Sequence, residues 1–132
     1  MLRFLEKRKV LLVYTPLVIY WIVLLAATSF PTIQVPTTDV GDKAYHFTAY
    51  FGLGVLLNLT LIFQNKYVLL KKKNELYTLL IGTIYGIFDE IHQYFIPGRS
   101  MEFLDFLADF FGLALAVLFI LFLLRLYKFI PK

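Results

Sequence analysis

An apolar run that extends from residue 10 to residue 30 is the feature that most constrains this fold. Its polar relief consists of only Tyr, Thr and Ser side chains. A helix of about 20 residues crosses a hydrocarbon core of ~30 Å. The run exceeds the apolar core of a signal peptide, which is about 7–15 residues long, so we interpret it as a retained membrane helix.

Three further apolar segments, 42–64, 75–96 and 102–125, reach a similar length. They show no sustained alternation of apolar and polar residues, and an open sheet edge is not viable in lipid. The sequence therefore predicts an all-α membrane protein, a four-transmembrane-helix bundle with helices at about 10–30, 42–64, 75–96 and 102–125. We expect one domain over 1–132.

Composition supports this class and excludes others. Hydrophobic residues make up 60% of the 132 positions, above the roughly 45–50% of soluble domains. The absence of cysteine excludes disulfides and thiolate metal sites. The chain carries no nucleic-acid-binding module and no glycine-rich phosphate loop, so we expect membrane lipids and not nucleic acid as partners.

Basic residues predict the orientation. Most of the 13 Lys and Arg residues precede the first predicted helix, lie between the second and third, or follow the fourth: Arg3, Lys7, Arg8, Lys9, Lys66, Lys71, Lys72, Lys73, Arg125, Lys128 and Lys132. The positive-inside rule places that side in the cytoplasm. We therefore predict a multi-pass protein of the cytoplasmic membrane with both termini cytoplasmic (N-in/C-in).

Polar residues cluster at the opposite, outer ends of the helices, where short loops bring the helix ends together. Gly82 and Gly86 mark a close-packing face of the third predicted helix, and Asp89 and Gln93 continue that face. Ionisable side chains one or more turns inside an apolar helix are costly and are candidates for function. The candidate catalytic residues are His46, Asp89, Glu90, His92, Asp105 and Asp109, and the candidate substrate-binding residues are Lys43, Gln93, Arg99 and Ser100.

These residues are compatible with several roles. Arg99 offers a bidentate donor for phosphate or carboxylate. The acids and histidines are able to ligate a divalent metal or to act as general acid and base, although their spacing matches no known zinc signature. A structural interpretation is an ion-pair network that includes Arg99. Other polar residues also have structural interpretations. Ser100 is expected to cap the fourth helix. The aromatic residues Tyr45, Tyr50, Trp21 and Tyr94 are expected to lie at the membrane interface.

Several segments resemble the VanZ-like family. They are DKAYHF at 42–47, YFGLG at 50–54, GIFDEIHQ at 86–93, PGRS at 97–100 and DFLAD at 105–109 followed by Gly112. The family pattern has roughly DKxxHFxxYFxLG, DExxQxFxPxR and DxxAN, in the same order and spacing. One departure is Asp109, where the family commonly has Asn; the added negative charge favours a cation-binding role.

The resemblance implies a small bacterial integral membrane protein. Its namesake is linked to resistance to teicoplanin, a lipid-anchored glycopeptide that acts at the outer leaflet on cell-wall precursors. From the resemblance and the outward-facing polar residues we expect a protein that binds or acts on an anionic envelope lipid, a lipid-linked wall component or a lipoglycopeptide. The alternative is a metal- or acid/base-dependent membrane enzyme that cleaves or transfers a lipid-phosphate or headgroup bond. A proton or ion carrier is disfavoured because the fourth predicted helix is apolar below Asp109.

Overall fold

The computed structural model describes residues 1–31 and 39–128, with positions 39 and 40 described by their backbone alone. Within these ranges the chain is helical and contains no strand, as predicted. The elements are α1 (Leu2–Lys7), a π-helical segment (Val10–Tyr14), α2 (Thr15–Ser29), α3 (Asp39–Phe63), α4 (Val68–Lys72), α5 (Asn74–Tyr94) and α6 (Phe103–Leu126). Lys132, one of the residues used to predict orientation, lies outside the described residues.

Four long helices occur where the sequence predicts them. Three stretches are long and apolar enough to cross a membrane: Val10–Ser29, Gly41–Phe63 and Phe103–Leu126. The fourth long helix, α5, carries acidic residues near both ends and is not among these three. The predicted boundaries agree with the structure to within three residues.

A π-helical segment interrupts the first apolar run just before a proline. Pro16 has no backbone N–H, and its ring crowds the carbonyl four residues earlier, so regular α-helical bonding is blocked at this point. The chain responds by widening to a π-helix over Val10–Tyr14 and then continues as α2. The π-helical segment therefore accommodates Pro16 without ending the apolar span.

Small residues bring α3 and α6 into backbone contact. A Cβ atom at Gly112 would collide with the main chain of α3 at Phe47 and Phe51, and one at Gly54 would lie 2.7 Å from the Cβ of Ala116. A helix that approaches this closely holds the side chains on either side of the contact in register. The close contact between α3 and α6 therefore fixes the relative positions of the polar side chains on these two helices.

The glycine face predicted on α5 packs against α3 and α6. Gly82 and Gly86 are buried, and a Cβ at Gly82 would meet the side chain of Leu113 on α6. Gly86 faces Asp109 of α6 and Tyr50 of α3, each about 3.4 Å from an added Cβ. The predicted close-contact role of these two glycines is confirmed, and it places Asp89 beside the polar face of α6.

At the end where α3 finishes and α5 begins, polar contacts join the elements. Lys9 donates to the carbonyl of Phe63, the last residue of α3, at 2.6 Å. Asn58 is buried and donates to Thr78 Oγ1 at 2.8 Å and to Asn74 Oδ1 at 3.2 Å. Asn58 is thus the interhelical hydrogen-bonding residue that its position inside an apolar helix indicates.

Candidate functional site

The centre of the site is a buried histidine between two acids from different helices. His46 of α3 is 7% exposed, and its Nδ1 lies 2.9 Å from Oδ1 of Asp109 on α6. The same nitrogen lies 3.8 Å from Oε1 of Glu90 on α5. Asp109 is 1% exposed and Glu90 is 4% exposed. Three helices therefore contribute one ionisable side chain each to a single point in the interior.

A lysine bridges two acids above this point. Lys43 Nζ lies 3.0 Å from Glu102 Oε2 and 3.2 Å from Asp105 Oδ1. The hydrogen bond from Lys43 holds the pKa of the Glu102 carboxyl below its ordinary value, with a smaller contribution in the same direction from the Ser100 hydroxyl. Because Lys43 is engaged by these two acids, its charge is not directed at Glu90 or Asp109.

The beginning of α6 is fixed by a residue of α5 and not by the expected cap. The predicted N-cap, Ser100, is wrong: α6 starts at Phe103 and Glu102 occupies the N-cap position. The Ser100 hydroxyl is exposed and donates to Glu102 Oε1 at 3.1 Å. Glu90 Oε2 instead accepts the backbone N–H of Glu102 at 3.0 Å. A carboxylate placed here also complements the positive end of the α6 dipole.

Tyr50 is a member of the site that the sequence analysis assigned to the membrane interface. It is 1% exposed, and its hydroxyl donates to Oδ2 of Asp89 at 3.3 Å, while its ring stacks on Tyr85. The interface assignment is therefore wrong for Tyr50. A signal was present in the sequence, because Tyr50 stands four residues after His46 and hence on the same face of the helix. Tyr45, one residue before His46, is 65% exposed.

Arg99 reaches from the α5–α6 connection to the end of α2. Its Nε donates to the carbonyl of Phe30 at 2.9 Å, one terminal nitrogen donates to Ala27 O at 3.0 Å, and the other donates to Gln93 Oε1 at 2.9 Å. Gly98, with φ of 80°, makes the turn that presents it. Among the described residues no carboxylate lies within ion-pair distance of Arg99. The predicted ion-pair partner of Arg99 is thus replaced by main-chain carbonyls at a helix C-terminus.

A cavity of about 450 Å³ lies between α2, α3 and α5. One part of its lining is apolar or aromatic and includes Tyr20, Leu24, Ala27, Ala49 and Tyr50. The other part is polar and includes Asp42, His46, Asp89 and Arg99. The wall of the cavity therefore combines apolar and aromatic side chains with ionisable ones.

Two predicted residues stand apart from the buried centre. His92 Nε2 lies 3.0 Å from Ser29 Oγ on α2, and its ring stacks on Phe88. Ser100 is exposed and contacts the cluster only through Glu102. Gln93 connects two other predicted site residues, because it accepts from Arg99 and donates to the Glu90 carboxylate at 3.5 Å. The contact of Asp89 is with Tyr50, and that of Asp105 is with Lys43.

Two sets of side chains have a spacing suited to a metal ion: His46, Glu90 and Asp109, and Asp42, His46 and Asp105. In each set, one ligand atom per residue lies within 4.8 Å of the others. The first set is buried throughout. Buried carboxylate oxygens without a hydrogen-bond partner lie in the same region, at Asp89 Oδ1 and Asp109 Oδ2.

Comparison with known families assigns the chain. The family model VanZ/LLP1 matches residues 7–125. The chain belongs to the VanZ/LLP1 family. No curated protein and no solved structure shows a significant match to it.

The match to VanZ/LLP1 covers every residue of the candidate site. Three segments that resemble the VanZ-like pattern, at 42–54, 86–93 and 105–112, lie on α3, α5 and α6, and the fourth, at 97–100, lies in the connection between α5 and α6. The three helical segments each contribute a side chain to the buried centre of the site. Asp109, the position at which this VanZ/LLP1 chain carries Asp where the family pattern has Asn, is the residue that contacts His46. This departure therefore adds a negative charge at the centre of the cluster.

Proposed function

We propose that the chain crosses the membrane four times, with both termini in the cytoplasm and the candidate site at the outer face. Support comes from the separation of charge between the two ends. The basic segments near Lys9 and Lys71 flank the end where α3 finishes and α5 begins, whereas the buried acids gather at the other end. The polar end of α5, including Asp89 and Glu90, is directed at α3 and α6, so those charges are shielded from lipid by protein.

We propose that the cavity binds a lipid-like amphiphile that carries a phosphate group. The observation that carries this function is the mixed wall of the cavity, which combines apolar and aromatic side chains of α2 and α3 with ionisable residues that include Arg99. Its volume lies within the roughly 300–1,000 Å³ typical of small-molecule pockets. A site of this kind holds a headgroup near Arg99 and the start of an acyl chain against the apolar side chains.

Arg99 is the residue proposed to meet the phosphate. A guanidinium has five N–H donors, and the contacts of Arg99 account for three of them. Its position on the cavity wall, without a carboxylate partner among the described residues, leaves a cationic group available to an anion. The ligand class is then a phosphate-bearing envelope lipid or a lipid-linked wall component, and binding one of these at the outer leaflet is the proposed route to glycopeptide (teicoplanin) resistance.

The experiment is lipid binding by the purified protein in detergent, followed by native mass spectrometry. Phosphatidylglycerol is compared with diacylglycerol, which has the same acyl chains and no phosphate. We expect the phosphate-bearing lipid to be retained in preference. Ala49→Leu, which fills the apolar wall, should abolish retention, and Ala44→Leu, at an exposed position of the same helix, should leave it unchanged. Equal retention of both lipids, or retention unaffected by Ala49→Leu, would refute the proposal.

A second candidate function is hydrolysis or transfer at the headgroup, and the His46–Asp109 pair favours it. A carboxylate that holds one nitrogen of an imidazole orients the ring and stabilises its protonated form, which is how a histidine acts as a general base. His46 also lines the cavity. If this function holds, Asp109→Asn retains lipid binding but loses turnover of a phospholipid substrate. Wild-type protein that binds the lipid without releasing any product would exclude the enzyme and leave the binding function standing.

A further inference from the structure

We propose that His46, Glu90 and Asp109 form a binding site for one divalent transition-metal ion, of the Zn²⁺ or Mn²⁺ class. The three side chains come from α3, α5 and α6 and are all buried. Two ligands of a tetrahedral ion with bonds of about 2.1 Å are about 3.4 Å apart. The separations from His46 Nδ1, 2.9 Å to Asp109 Oδ1 and 3.8 Å to Glu90 Oε1, lie on either side of that value. Small side-chain movements are enough to place all three atoms on one ion.

Carboxylate oxygens that lack a donor provide a second observation. Asp109 Oδ2 and Asp89 Oδ1 have no hydrogen-bond partner among the described residues, and both side chains are 1% exposed. A buried carboxylate oxygen without a donor or a cation is costly. Asp89 lines the cavity next to His46, and Asp109 contacts His46 directly. A cation at this point would satisfy Asp109 Oδ2, which the described residues leave unpaired.

The charge around the cluster points in the same direction. Six carboxylates gather at this end of the molecule: Asp42, Asp89, Glu90, Glu102, Asp105 and Asp109. Lys43 is engaged by Glu102 and Asp105, and Arg99 donates to carbonyls and to an amide oxygen. His46 is then the basic side chain that faces both Glu90 and Asp109. Acidic side chains outnumber the basic side chains that contact them, and a divalent ion bound here would favour their ionised forms.

The donor set selects the class of ion. An imidazole nitrogen together with two carboxylates suits Zn²⁺ or Mn²⁺, whereas Ca²⁺ and Mg²⁺ prefer oxygen ligands throughout. Three protein ligands leave at least one coordination position open, as in catalytic metal sites. His46 also lines the cavity, so one of the three ligands would connect the ion to the wall of that space.

One consequence rests on the proposed function. A metal ion at His46 would add positive charge beside the cavity that Arg99 also lines, and would thereby favour a phosphate headgroup there. The metal site itself does not depend on this, because its ligands are all protein side chains.

The test is a metal titration of the full chain in detergent without added lipid. After chelator treatment, Zn²⁺, Mn²⁺ and Mg²⁺ are titrated separately by isothermal calorimetry, and thermal unfolding is followed in parallel. We expect one Zn²⁺ or Mn²⁺ per chain, a higher unfolding temperature with either ion, and weaker binding of Mg²⁺. Absence of stoichiometric Zn²⁺ and Mn²⁺ binding by folded protein would overturn the proposal.

Near-isosteric variants locate the ion. Glu90→Gln and Asp109→Asn should each weaken binding by at least about ten-fold, the loss seen when even an outer-shell partner of a metal ligand is removed. Glu102→Gln removes an acid from the same end of the molecule, and His92→Asn removes the other histidine; both should bind the ion like the wild type. Unchanged affinity in both cluster variants, or an equal loss in His92→Asn, would contradict the assignment.

A spectroscopic measurement covers the case in which a cluster variant does not fold. Mn²⁺ bound to the wild-type chain should show electron-spin-echo coupling to a histidine nitrogen, and the coupling should persist in His92→Asn. Its absence from both proteins would refute His46 as a ligand. Lipid retention is measured on the same protein, with and without chelator, so that the two proposals can be separated. If the wild-type chain binds neither Zn²⁺ nor Mn²⁺ but retains phosphatidylglycerol, only the metal site is refuted and the proposed function stands.

Discussion

The contact between Gly112 and the main chain of α3 allows a quantitative prediction for Gly112→Ala. The added Cβ would meet Phe47 O and Phe51 N, the second at 2.9 Å, and neither atom can turn away as a side chain can. Relieving the clash requires α6 to move from α3. Overpacking of a well-filled interior costs about 1–3 kcal/mol, so we expect a loss of unfolding free energy of that size before any gain from helix propensity.

Gly86→Ala is the matched control. It is also a buried glycine within a helix, so both variants gain the same helix-propensity term of roughly 0.8–1.0 kcal/mol. At Gly86, however, the nearest atoms to an added Cβ lie at 3.4 Å and belong to side chains. Because the propensity terms cancel, the difference in unfolding free energy between the two variants should be about 1–3 kcal/mol, with Gly112→Ala the less stable.

The assay is reversible unfolding in mixed detergent and SDS micelles. It is followed by circular dichroism and by the fluorescence of Trp21, the single tryptophan, whose ring packs edge-on against Tyr85. Gly112 lies one turn after Asp109, so separation of the helices should also weaken the His46–Asp109 contact and shift the His46 ring signals in NMR spectra. Equal unfolding free energies for Gly112→Ala and Gly86→Ala would refute the inferred helix contact.

Four further substitutions test individual contacts. Tyr50→Phe removes the hydroxyl that donates to a buried carboxylate, and should lower the unfolding free energy by about 1–2 kcal/mol. Asn58→Ala removes an interhelical hydrogen-bonding residue, which should cost about 0.6 kcal/mol and at most about 1.7 kcal/mol. Lys43→Met should raise the pKa of Glu102 toward its ordinary value, as measured by NMR titration. Because the fold lowers that pKa, the stabilisation is present at neutral pH and is lost as the pH falls through the pKa of Glu102. Arg99→Lys should increase hydrogen exchange in the last turn of α2, since an ammonium cannot reproduce three donors fixed in one plane.

Each of these variants has a control in an exposed residue of the same type: Tyr45→Phe, Asn65→Ala, Lys66→Met and Arg125→Lys. The controls should leave the corresponding measurement unchanged. A control that matched its test variant would show that the measured effect comes from residue type and not from the contact.

The helices were predictable because membrane insertion imposes a length and a composition that the sequence records directly. The end of the first apolar run and the glycine face of α5 both follow from local chemistry, and the structure agrees. The π-helical segment was not predicted. It is also local in origin, because Pro16 forces a change in backbone bonding.

The site was predictable in its membership and less so in its pairings. Ionisable residues inside apolar helices stand out in a sequence, and most of them converge. Which acid contacts His46 depends on the rotation of α6 against α3, and a sequence pattern does not fix that angle. The burial of Tyr50 depends on how α3 packs against α5, and the use of Glu90 at the start of α6 depends on how α5 packs against α6. His92 and Ser100 show the converse, because a polar residue at the right depth need not face the centre.

The hold of Arg99 on α2 has a consequence for the order in which the protein is made. Arg99 follows its partner Phe30 by 69 residues and its partner Ala27 by 72. A ribosome completes α2 and α3 well before it reaches residue 99, so the last turn of α2 waits for its partner until about three quarters of the chain has been synthesised. Until then α2 rests on α3 through contacts such as Tyr20 to Ala49, and the wall of the cavity is incomplete. The cavity is therefore completed late, after both of the helices that form its apolar side have been synthesised.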